Sequence, residues 1–180
     1  WIYYNFCIHL VGGILVIGFT QEFLKFAAVR FSVYSSSEFD ERTDGIIYAT
    51  AAGLGFAAVL NIAFVINSGG VNLGMGAIRI VLTSLAQASF AGITGYFLGR
   101  DKLEKLPVWW MAVGVAAAAT LNGLFFTLWG NLTRASITNS GAYVNPWLGL
   151  ALAVILSLAV MALLSWLIRR DQVRALRKEA

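Results

Sequence analysis

Five long, mostly apolar stretches follow one another along the chain, each closed by a short polar run: Ile2 to about Thr20, Ile46 to Ile66, Ile80 to Leu98, Val108 to Gly130 and Trp147 to Ile168. About 20 apolar residues, at 1.5 Å of helical rise each, cross a hydrocarbon core about 30 Å thick. The first stretch is expected to continue as helix through Gln21–Tyr34. Turn chemistry fills the connectors: Ser35-Ser36-Ser37 through Asp44-Gly45, Asn67-Ser68-Gly69-Gly70, Arg100 through Pro107, and Asn131 through Pro146. Runs this long, joined this tightly, predict an all-α polytopic membrane bundle of about five spans rather than a β-barrel. The bundle occupies residues 1–168, and 169–180 form a basic tail.

Composition fits that pattern. Hydrophobic residues make up 59% of the chain and charged ones 12%, whereas a soluble domain carries roughly 25% charged residues. The net charge of +4 comes from basic residues at span ends and in the tail, so it calls for membrane lipids as partners and not for nucleic acid. Alternation puts Arg42, then Arg100, Lys102 and Lys105, then Arg169, Arg170, Arg174, Arg177 and Lys178 on one side, against Arg79 and Arg134 on the other. The positive-inside rule assigns the richer side, and with it the C-terminus, to the cytoplasm of a cell membrane. Trp109, Trp110, Trp129, Trp147 and Trp166 fall near span ends, as an aromatic belt requires. Asn131-Leu132-Thr133 matches a glycosylation acceptor but carries no weight in what reads as a bacterial chain. A single cysteine, Cys7, excludes an internal disulfide. The chain opens at Trp1 inside an apolar stretch, which reads as part of a longer protein; without a basic leader or an Ala-x-Ala site, that stretch is not a signal peptide.

Small residues mark tight packing, because helix backbones in lipid associate through close approach. Ser84, Ala88, Gly92, Gly95 and Gly99 form one stripe, Gly114, Ala118 and Asn122 a second, and Gly53 and Gly55 thin the middle of the second span. Asn61, Gln87 and Asn122 are polar groups deep in spans. Each needs a partner, so they are expected to point inward and meet. Glu22 and Lys25 are i,i+3 neighbours on one helix face and can pair. They are expected near the cytoplasmic boundary. His9 is the sole histidine. It stands 13 residues from Glu22, or ~20 Å along a straight helix, so the two cannot share an ion.

In order, these segments resemble the PrsW family of intramembrane metalloproteases. Gln21-Glu22-Phe23-Leu24-Lys25 is similar to its Glu-Glu-x-x-Lys motif, and Asp44-Gly45-Ile46-Ile47-Tyr48 with Gly53 through Asn61 to its second block. Gln87-Ala88-Ser89-Phe90-Ala91-Gly92 with Gly95 through Arg100 resembles a third block, which opens with His in the family. The likeness covers about Gln21 to Arg100 and extends toward Asn122.

What the resemblance implies is a zinc-dependent site whose Glu and His side chains hold the metal and activate water. This chain departs from it. Gln21 stands for the first Glu, Leu60 for the Glu that precedes Asn61, and Gln87 for the His; the Ala118–Asn122 pair falls where relatives carry a His ahead of an Asn or Asp. Glu22 and Lys25 remain as the catalytic-motif positions. Gln is a poor zinc ligand and Leu is none, so the sequence predicts no metal and no cofactor. Three readings follow: a degenerate member acting as a membrane binding or regulatory protein, an active protease cleaving a membrane-anchored single-pass substrate, or a structural subunit of a larger membrane complex.

Overall fold

The computed structural model describes residues 8, 10–68, 70, 73–104, 106–107, 109–135 and 146–179; side chains at 73, 75, 131–135, 146 and 171–179 are not described. His9 and Cys7 lie outside the described residues. The chain is helical throughout, with no strand among the described residues. A π-helical turn, Gly13–Gly18, runs into α1 (Phe19–Ser32); then come α2 (Arg42–Asn67), α3 (Leu73–Glu104), α4 (Trp109–Ala135) and α5 (Pro146–Glu179). Among the described residues five helices are long and apolar enough to cross a membrane, the first running Leu10–Ser32 through the π turn.

The helices outrun the apolar stretches that identify them. Arg100–Glu104, expected as connector, extends α3, because Glu104 binds Arg100 at 2.6 Å one turn back and Arg42 of α2 at 3.1 Å. Charged side chains at a helix end reach water while the backbone stays helical. The α5 helix likewise continues past Ile168 to Glu179. Asp44 accepts from the backbone N–H groups of Glu41 (2.7 Å) and Asp40 (3.0 Å), fixing where α2 begins.

Contacts between backbones set the packing. A Cβ on Gly45 would lie 2.2 Å from the Gly95 carbonyl oxygen, and one on Gly99 would lie 2.1 Å from that of Arg42. Further along, a Cβ on Gly53 would meet the Gln87 carbonyl at 2.6 Å. So α2 and α3 run antiparallel in close contact over several turns. Gly18 and Gly123 do the same for the first span and α4: a Cβ on Gly18 would sit 2.4 Å from the Ala119 carbonyl, and one on Gly123 would sit 2.6 Å from Ile14 Cα. α3 carries α2 on one side and α4 and α5 on others. Phe90 and Phe125 meet edge-on at 5.8 Å, and Ser89 donates to Ser157 of α5 at 3.0 Å. Gly55, by contrast, points into open space.

Connectors one and three meet at one end. The Tyr34 hydroxyl donates to Asp101 at 2.7 Å and Lys102 donates to the Tyr34 carbonyl at 2.6 Å. Burial beside Asp101 pushes the Tyr34 phenol up to about 12. Of the tryptophans expected in a belt, Trp109, Trp147 and Trp166 face outward. Trp110 instead packs on Phe97 at 4.7 Å and Trp129 on Phe126 at 5.9 Å.

Two glycine substitutions separate packing from propensity. Gly95→Leu forces α2 and α3 apart and should lower stability by about 3 kcal/mol or more, near the upper end of overpacking costs. Gly55→Leu faces open space and should be neutral or stabilising by up to about 1 kcal/mol. Thermal unfolding in detergent compares them, and equal effects would refute the α2–α3 contact.

Candidate functional site

Glu22 lies one turn into α1 and Lys25 follows three residues later, so their side chains share a face. That face turns into the bundle. Glu22 is 0% exposed and Lys25 3%, which corrects the expectation of a pair near the cytoplasmic boundary. Because α1 runs on to Ser32, the pair lies two to three turns inside the helix end and level with mid-α3. The ammonium of Lys25 donates to Glu22 Oε1 at 2.5 Å, to Gln87 Oε1 at 2.7 Å and to the Gln87 carbonyl at 3.4 Å. Its three hydrogens thus have three acceptors. Phe56 of α2 and Phe90 of α3 flank the same ammonium, each ring centroid 5.8 Å away.

The network continues and closes. Gln87 Nε2 donates to Gln21 Oε1 at 2.9 Å, and Asn122 Nδ2 donates to Gln21 Oε1 at 3.1 Å and to Glu22 Oε1 at 2.7 Å. Lys25, Gln87, Gln21, Asn122 and Glu22 therefore form a hydrogen-bonded ring drawn from α1, α3 and α4. An amide suits this circuit at position 87, since its oxygen takes the ammonium while its nitrogen donates onward. Two buried acceptors stay outside the circuit, Glu22 Oε2 and Asn122 Oδ1.

Five of the seven residues singled out from the sequence thus converge. Asn61 does not. It is buried on α2 about two turns nearer the opposite membrane face, with Oδ1 unpartnered, and Leu60 beside it is half-buried. Sequence reasoning missed Phe56 and Phe90. No spacing rule distinguishes an aromatic over a cation from one in the core.

Known proteins agree with this architecture. A family model described as PrsW family intramembrane metalloprotease matches residues 4–164, and the chain belongs to that family. The protein named Protease PrsW in Halalkalibacterium halodurans is 33% identical over 117 residues, 64% of this chain and 53% of the relative. Its Bacillus subtilis namesake is 32% identical over 110 residues, 60% and 49% of the two chains. The one in Geobacillus kaustophilus is 38% identical over 82 residues, 46% and 35%. The chain spans about half the length of the first two relatives. No solved structure matches.

Breaking the ion pair from one side strands a charge in the bundle. Lys25→Met alone should destabilise by about 3–5 kcal/mol, whereas Glu22→Gln with Lys25→Met should be much milder than the sum of the singles. A double-mutant cycle by denaturant unfolding reads this, and additive effects would mean the two groups are not coupled.

Proposed function

We propose that this chain keeps the family's membrane scaffold without its hydrolytic chemistry and acts as a binding or regulatory protein of the cell membrane. The observation that carries this reading is the Lys25 ammonium held by Glu22 and Gln87. It engages Oε1, one of the two carboxylate oxygens that a metal or a reacting water could use. The ring is charge-balanced as it stands: one carboxylate, one ammonium, three neutral amides.

Zinc is the cofactor the family implies, and the residues present do not fit it. Zinc takes three or four thiolate, imidazole or carboxylate ligands. Here one carboxylate stands among amides, and its Oε1 already accepts from Lys25 and Asn122. Among the described residues no group of three His, Cys, Asp or Glu comes together. Leu60 offers no donor at all.

One observation favours the rival reading of an active protease. Glu22 Oε2 has no partner, and a free carboxylate oxygen can accept a proton from water. Its candidate substrate is a single-pass membrane protein. The two readings divide cleanly on activity and on metal. Purified chain should contain no stoichiometric zinc and leave a reconstituted single-pass substrate intact. The triple reversion Gln21→Glu, Leu60→Glu, Gln87→His should create measurable zinc affinity. Cleavage by the unaltered chain that Glu22→Ala abolishes would overturn the proposal.

The same reading places the C-terminus in the cytoplasm. It is supported by the meeting of connectors one and three at one end and by the course of α5 parallel to α3, whose Leu82 lies near Gly149 while Gly92 lies near Leu164. A C-terminal reporter active only in the cytoplasm should give signal; a reporter active only outside would reverse the orientation.

A further inference from the structure

At the end of the bundle opposite the basic connectors, one cation is left without a counter-charge. Arg79 stands on α3 three residues inside the span that begins at Gly76. Its guanidinium lies against the Phe64 ring of α2, with Cζ 3.7 Å from the centroid, and 5.6 Å from the Trp129 ring of α4. Its Nε is buried and has no hydrogen-bond partner.

No acidic residue of this sequence falls at the same end as Arg79. Of nine acidic residues, Glu22 is engaged in the interior ring. The others fall between Glu38 and Asp44, at Asp101 and Glu104, or at Asp171 and Glu179, all toward the basic end. An unpaired charge at the edge of hydrocarbon is expensive and draws a counter-ion.

The geometry also says what kind. Stacking against aromatic faces holds the guanidinium plane and leaves its edge for a planar, two-point contact with an oxyanion. Arg79 lies ~4.5 Å inside its span and helical side chains slope toward the N-terminus, here toward the membrane surface. That brings the guanidinium to the depth of phospholipid phosphates. Its neighbours Val65, Ile66 and Ile80 are exposed, so the site opens sideways to lipid. We propose that Arg79, held between Phe64 and Trp129, binds the phosphate of an anionic phospholipid in the leaflet opposite the basic connectors.

The test is native mass spectrometry of the delipidated full chain titrated with phosphatidylglycerol or phosphatidylcholine. The unaltered chain should bind a first phosphatidylglycerol in preference to phosphatidylcholine. Arg79→Gln should weaken that binding by about tenfold, as for loss of a charged hydrogen-bonded contact. Arg79→Lys keeps the charge and loses the stacked fork, so it should fold even if Arg79→Gln does not, and bind several-fold more weakly than the unaltered chain. Millimolar inorganic phosphate should leave the lipid bound. The proposal is overturned by any one of three results: Arg79→Lys or Arg79→Gln binding phosphatidylglycerol like the unaltered chain, phosphatidylcholine filling the first site equally well, or inorganic phosphate displacing the lipid.

Discussion

A lysine ammonium buried inside a membrane bundle must have every hydrogen taken and its charge matched, because neither water nor lipid can do either. Lys25 meets that requirement through residues from two helices, Glu22 on its own and Gln87 on α3. Glu22 in turn needs Asn122 of α4, and Gln21 joins Gln87 to Asn122. Three helices are therefore tied in register by one polar circuit about as wide as a few side chains. The glycines serve that end. Gly18 and Gly123 let the first span lie against α4 closely enough for short amide side chains to reach across, and Gly53 lets α2 bring Phe56 over the ammonium. The π turn just ahead of α1 rotates the helix face by the extra residue it inserts.

The spans were legible from hydropathy because their length is imposed by the bilayer. Their ends were less so. Arg100 and Glu104 look like connector by charge, yet they pair one turn apart on a continuing helix and also hold Arg42. The pairing of Glu22 with Lys25 was legible from i,i+3 spacing, whereas its depth was not. Depth depends on where α1 stops, and the turn of the chain at Tyr34 is held by Asp101 and Lys102, which lie more than sixty residues away. Asn61 shows the same limit from the other side. Its apolar surroundings foretold burial, but it lies about two turns further along α2 than the ring, and no local pattern encodes that.

Resemblance supplied what spacing could not, namely which scattered polar residues belong together. Gln21, Gln87 and Asn122 share no periodicity, being 66 and 101 residues apart from one another across three helices. Motif order named them in advance, and the structure brings them within hydrogen-bonding distance.

On the proposed reading that no metal is bound, charge balance favours neutral residues at these positions. Relative to the resembled motif, Gln21 and Leu60 each remove one negative charge, two in all, which is the charge of one divalent ion. Without an ion, an added carboxylate at position 21 would repel Glu22 in a low-dielectric interior. With the ion present, the amides would bind it poorly. A chain lacking the metal is thus more stable with neutral groups at those positions, and Gln87 can then turn its oxygen to Lys25 without competing with a ligand role. If the chain binds no metal, as proposed, a carboxylate at position 21 would leave the interior charged, so absence of the metal and absence of that carboxylate would belong to a single physical change.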